Sequence, residues 1–102
     1  MNKRDLGLWL EALGFVPEVP FKGLTGTRRW RFDWAHEPAR VAVEYDGIGV
    51  GHQSIAKTWR DGEKSNHAQL CGWCLIRCNV KSAEDGRCQD LIERAMDRAE
   101  GR

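Results

Sequence analysis

A chain of 102 residues, 30% of them charged and with a formal net charge of +1, has room for one domain (1–102) and one modest core. It is no bulk polycation, so any contact with nucleic acid must come from local patches. No apolar run approaches the ~18 residues a membrane span needs, which excludes a membrane-spanning helix. The start, MNKRDLGLWLEALGF, is basic and then apolar, but Asp5 and Glu11 interrupt it and no small-residue cleavage site follows. It therefore reads as no signal peptide, and the expected compartment is the cytoplasm.

In chain order, residues 4–14 predict a helix, because Leu6, Trp9, Leu10 and Leu13 fall at i, i+3, i+4, i+7. Asn2 or Asp5 caps it, and Gly14 stops it. Glu11 lies off the apolar stripe. Residues 15–27 hold two prolines and two glycines and predict an irregular connector, with a short strand at 20–22.

Residues 28–47, RRWRFDWAHEPARVAVEYDG, read as a hairpin carrying Asp33, Glu44 and Asp46. Glu44 and Asp46 are two apart and share one strand face, while Val41, Val43 and Tyr45 take the other. A turn at His36-Glu37-Pro38-Ala39 sets Ala35 opposite Arg40 and Asp33 opposite Ala42. Asp33 then shares the acid face, with Glu44 its diagonal neighbour at roughly 7 Å. Three converging carboxylates need a cation, and an all-oxygen donor set suits a hard ion such as Mg²⁺.

Residues 48–54 form a glycine-bearing loop with His52 and Gln53, and Ser54 is a good helix N-cap. Residues 55–71 predict a helix. Ile55, Trp59 and Leu70, with Ala56 and Ala68, offer an apolar side, and Lys57, Arg60, Asp61 and Lys64 share another face at i, i+3, i+4, i+7. That second face reads either as a solvated salt-bridged surface or as a cationic face beside the acids. Residues 73–80 predict a largely buried strand interrupted by Arg77. Residues 83–100 predict a helix with Cys88, Leu91, Ile92, Ala95, Met96 and Ala99 on its core stripe. The class is α/β (α+β), a sheet of three to four strands flanked by helices, ordered α-(β)-β-β-α-β-α.

Cys71, Cys74, Cys78 and Cys88 read first as buried or semi-buried reduced thiols. A zinc site on the Cys71/Cys74 pair and a disulfide remain alternatives.

In order and at workable spacing, the chain carries RRWRFD (28–33), AVEYDG (42–47), GH (51–52), DGEKSN (61–66) and GWCLIR (72–77). Together these resemble the PD-(D/E)XK nuclease superfamily, and in particular its small phage- and prophage-type endonucleases, near the VRR-NUC and Holliday-junction-resolvase-like groups. The resemblance implies a restriction-endonuclease-like core with a mixed sheet, in a bacterial or phage-infected cell. It implies Mg²⁺ or Mn²⁺ held by Asp33 and Glu44, with the Tyr45 carbonyl as a further ligand. The chain departs from the superfamily at Asp46, where a lysine is usual. Asp46 is then a third metal ligand, or Lys64 takes over the lysine's role, or both; Lys57 and Lys22 are weaker substitutes. Glu11, or alternatively Glu18, stands where the first element supplies a further acid, and His52, Gln53 and Asp61 are additional candidates.

By the same likeness, Arg28, Arg29, Arg31, Lys57, Arg60 and Arg77 would contact phosphates without reading sequence. Trp30 or Trp34 would stack at a junction or flipped base. The implied activity is a metal-dependent endodeoxyribonuclease selective for branched or otherwise non-duplex DNA, acting as a homodimer. A mismatch-directed nicking enzyme resembling very-short-patch repair endonucleases, a non-catalytic DNA-binding module and a zinc module are the alternatives.

Overall fold

The structure, a computed structural model, describes residues 1–47 and 55–101. The elements are α1 (Lys3–Ala12), β1 (Val16–Phe21), β2 (Trp30–His36), β3 (Val41–Asp46), α2 (Ile55–Leu70), β4 (Cys74–Asn79), α3 (Val80–Glu84) and α4 (Arg87–Ala99). The fold is mixed α+β: a four-stranded sheet in the order β1-β2-β3-β4, flanked by helices. β1–β2 and β2–β3 are antiparallel, whereas β3–β4 is parallel because α2 carries the chain back over the sheet. No helix among the described residues is long and apolar enough to cross a membrane.

Both faces of the sheet are covered. On one, Leu6 and Leu10 of α1 and Cys88, Ile92 and Ala95 of α4 pack on Trp34, Val41, Val43 and Cys78. On the other, Ala68 of α2 and Trp73 pack on Val19, Phe21, Phe32, Ala35 and Ala42. The α1 cap is the Asn2 side chain, which accepts from Asp5 N at 2.8 Å, and Gly14 ends the turn at φ 97°.

Several boundaries differ from the sequence reading. The connector at 15–27 contains a full strand, Val16–Phe21, whose two prolines are tolerated because it lies at the sheet edge. The helix expected at 83–100 begins at Arg87, because Asn79 caps the separate helix α3 and Gly86 (φ 85°) breaks the chain between them. Its buried stripe is narrower than expected, since Leu91 is 53% exposed.

The hairpin register also differs. His36 pairs with Val41, Ala35 with Ala42 and Trp34 with Val43, which leaves Glu37–Arg40 as the turn. Arg40 adopts φ 56° and donates to Glu37 O at 3.1 Å, while Ala39 N donates to His36 Nδ1 at 3.1 Å. Relative to expectation the strands slide by two residues. An even slide keeps every side chain on its face, but it brings Asp33 directly opposite Glu44 instead of diagonal to it.

The reduced, semi-buried thiol reading holds for Cys71 and Cys74 and is corrected for Cys78 and Cys88. Cys78 on β4 and Cys88 on α4 form a disulfide, and Cys71 and Cys74 are free. A zinc site using all four sulfurs is thereby ruled out. Thiol titration of the denatured, unreduced protein should find only Cys71 and Cys74 reactive. Replacing both bridge cysteines by serine should cost about 2–3 kcal/mol of stability, the loop-closure value for so short a loop, read from urea unfolding.

Candidate functional site

The site forms where the ladder between β2 and β3 stops. Beyond Trp34↔Val43 the next opposed pair is Asp33 and Glu44, and their carboxylates replace the backbone bonding. Asp33 N donates to Glu44 Oε2 at 3.1 Å, and Tyr45 N donates to Asp33 Oδ2 at 2.8 Å. Strand alternation also breaks here: Phe32 and Trp34, two residues apart, join opposite cores. On the neighbouring edge strand the pairing lapses between Pro17↔Trp34 and Val19↔Phe32, and Glu18 between them is left-handed at φ 54°. A bulky residue rarely adopts that conformation, so the irregularity is built into both strands at Asp33.

Glu44 lies in the middle of a charged row across the sheet. Asp33 stands on one side of it and Arg77, its partner in the parallel register, on the other. Glu44 is only 8% exposed and is the sole buried charged side chain among the described residues. The Lys64 ammonium of α2 satisfies it, donating to Glu44 Oε1 and to the carbonyl of Arg31, and lying 5.5 Å from the centre of the Phe32 ring. Burial nonetheless raises the Glu44 pKa above its ordinary value of 4.5, outweighing the hydrogen bond and charge of Lys64, while the nearby Asp33 adds to the rise.

The helix above this row turns Lys57, Asp61 and Lys64 toward the acids, the second of the two readings of its charged face, but its expected apolar side faces outward. Ile55, Trp59 and Leu70, taken as its apolar side, are 79%, 77% and 73% exposed. The side turned toward the sheet is Lys57, Asp61, Lys64, Ser65 and Ala68, of which only Ala68 is fully buried. Arg77 Nη2 donates to Asp61 O at 3.0 Å and to Ser65 Oγ at 2.9 Å, and Lys57 pairs with Asp61 at 2.9 Å. Ser65 was not singled out from sequence. The available signal was its spacing, four residues after Asp61 and one after Lys64.

A cavity of about 290 Å³ opens between these elements, lined by Asp33, Glu44, Tyr45, Asp46, Gly47, Lys57, Asp61 and Arg77. All three predicted carboxylates line it. Among the described residues, however, no three His, Cys, Asp or Glu side chains gather as a ready-made metal group. The donor set still suits Mg²⁺, which is commonly held by one or two carboxylates, with water and phosphate completing the octahedron. Each carboxylate oxygen has two acceptor positions, so the hydrogen bonds to Asp33 and Glu44 leave capacity for a cation. With Lys64, the lining brings four carboxylates against three cations, a balance that a divalent ion would reverse toward attracting phosphate.

Other candidates fall elsewhere. Glu11 is exposed and lines a separate groove with Lys3, Arg4, Leu8 and Trp34, so α1 does not bring it to the acids. Trp34 is 7% exposed against the core, and Trp30 stacks on Phe21, so neither is available as an open base-stacking platform. Arg28 pairs with Glu63 and lies over Trp30, while Arg29, Arg31 and Arg60 are exposed. His52 and Gln53 lie outside the described residues.

No family model matches the chain, and no solved structure matches it. Two uncharacterized proteins of Mycobacterium tuberculosis, one from each of two strains, are 34% identical to it over 97 residues, covering 93% of this chain and 34% of theirs. The chain thus spans about a third of the length of the curated relatives it matches.

Removing one partner of the Lys64–Glu44 pair, whose side chains are 12% and 11% exposed, leaves a buried charge alone. Lys64→Met should therefore destabilise the protein by about 3–5 kcal/mol, and adding Glu44→Gln should recover most of that loss in urea unfolding. The pH dependence has a definite sign. Because the folded pKa of Glu44 is raised, its contribution is fully present below about pH 4.5 and is lost as pH rises through the folded value. The stability of wild type relative to Glu44→Gln should fall across that window, with the Glu44 carboxyl titrating above 4.5 by ¹³C NMR.

Proposed function

We propose that this chain is a metal-dependent endodeoxyribonuclease of the PD-(D/E)XK type. The observation that carries the reading is the opposition of Asp33 and Glu44 on adjacent strands, with the Lys64 ammonium on Glu44. In that superfamily two strand acids hold a cation and a nearby lysine assists. Here Asp46 stands at the usual lysine position, and Lys64 reaches the same acid from the helix above.

In this reading Asp33 and Glu44 hold Mg²⁺ or Mn²⁺, with the Tyr45 carbonyl and Asp46 as further oxygen donors. The ion, when bound, supplies Lewis acidity to the scissile phosphate and lowers the pKa of a ligated water. Lys64 offsets part of the cost of burying the Glu44 carboxylate and places a fixed positive charge beside the developing phosphorane charge. Lys57 and Arg77, on the cavity wall, orient the phosphate, and the exposed Arg29 and Arg31 add contacts that do not read sequence. By the same resemblance, branched or otherwise non-duplex DNA, read by shape, is the favoured substrate, with mismatch-directed nicking as the alternative.

A second reading has one observation in its favour. Both oxygens of Glu44 are already engaged, by Lys64 and by Asp33 N, as in a DNA-binding module that does not cut. A panel of four-way junction, mismatched, single-stranded and duplex DNA with Mg²⁺ separates the two. The nuclease reading expects nicking that Asp33→Ala or Glu44→Ala lowers by about a hundredfold or more, with Mg²⁺ moving the Glu44 titration downward. Binding without cleavage of any member, in Mg²⁺ and in Mn²⁺, would leave the second reading standing.

A further inference from the structure

The outward side of α2 is apolar, and no described element covers it. Ile55, Trp59, Gly62, Asn66 and Leu70 follow one another at i, i+4, i+7, i+11, i+15, a single line along the helix, and all are exposed. Ile55, Trp59 and Leu70 retain 79%, 77% and 73% of their surface, none of them joining either core. Large exposed apolar side chains aligned on one helix mark an interaction surface.

The line has a symmetry that selects its occupant. It is balanced about its midpoint, close to Gly62: Ile55 lies as far before that point as Leu70 lies after it, and Trp59 as far before as Asn66 after. A second copy laid antiparallel would set Ile55 of one against Leu70 of the other and Trp59 against Asn66. Such self-complementarity is what a two-fold interface requires. Gly62 would stand at the crossing, where a side chain would hold the helices apart; a Cβ built there meets nothing within 4 Å, so the surface at that point is open. Burying Ile55, Trp59 and Leu70 from both copies removes on the order of 1,000 Å² of surface, the threshold for a specific interface.

We infer that α2 is the dimerisation helix of this protein, packing antiparallel on a second copy through Ile55, Trp59 and Leu70, with Gly62 at the two-fold axis. The inference rests on the outer face of α2 alone and is independent of the nuclease reading. The inner face of the same helix holds Lys57 and Lys64, so pairing would fix two cavities on opposite sides of the helix pair.

Sedimentation equilibrium of the full chain tests it. Wild type should weigh twice the chain mass, and Trp59→Glu should weaken association at least tenfold. Gly62→Leu is a second arm that folding failure cannot mimic: leucine is the better helix former, so thermal stability of the monomer should hold or rise while the dimer is lost. Register is read by oxidative cross-linking with Cys71 and Cys74 replaced by serine. Gly62→Cys should then join two chains, and Ile55→Cys should not. A monomer throughout the concentration range would overturn the inference, as would a dimer indifferent to Trp59→Glu and Gly62→Leu. So would a monomer whose Trp59 fluorescence is quenched by single-stranded DNA, because nucleic acid would then occupy the face.

Discussion

Burial of the Glu44 carboxylate governs the arrangement around it. A charge removed from water needs partners that compensate it. Glu44 has them from two directions, the Lys64 ammonium above and the Asp33 N–H beside it. Each partner constrains an element. The bond from Asp33 is available because the β2–β3 ladder stops one residue earlier, and the bond from Lys64 turns the charged side of α2 toward the sheet. Arg77, tied to Asp61 and Ser65, then anchors that helix from β4.

The orientation of α2 follows from this requirement and runs against its hydrophobic pattern. Turning Ile55 and Trp59 inward would bury more apolar surface. It would also leave Glu44 and Arg77 facing hydrocarbon, and an unpaired buried charge costs more than one apolar side chain contributes. The charged stripe therefore faces in, and the C-terminal half of the helix is held by Ala68 beside Trp73. What remains outside is an apolar line with no cover from the described chain, so the stability of the site and the exposure of that line have one cause.

The two sides of the sheet divide the work. The side under α1 and α4 is apolar, is bridged by the Cys78–Cys88 disulfide and contributes packing. The side under α2 is apolar near Ala42 and Trp73 and charged toward the ends of β3 and β4. Strand β3 passes between them, with Val41 and Val43 serving the first and Ala42 and Glu44 the second. A cavity at the carboxyl ends of parallel strands, beside a helix that returns over the sheet, is a common place for chemistry in α/β folds.

Much of this could be read without coordinates. Element order, the helix ended by Gly14, the hairpin with its three acids and the shared face of Asp33 and Glu44 all follow from local periodicity and turn chemistry, which sequence carries directly. The registers and orientations were decided by tertiary structure. The turn lies one residue later at its first position because His36 still pairs with Val41, and the resulting two-residue slide was invisible to side-chain alternation, which repeats every two residues. The outward turn of Ile55 and Trp59 could not be read from α2 itself, because what opposed its apolar pattern was a charge on another element. The Cys78–Cys88 bridge likewise depended on where β4 and α4 meet, a distance in space that spacing along the chain does not encode.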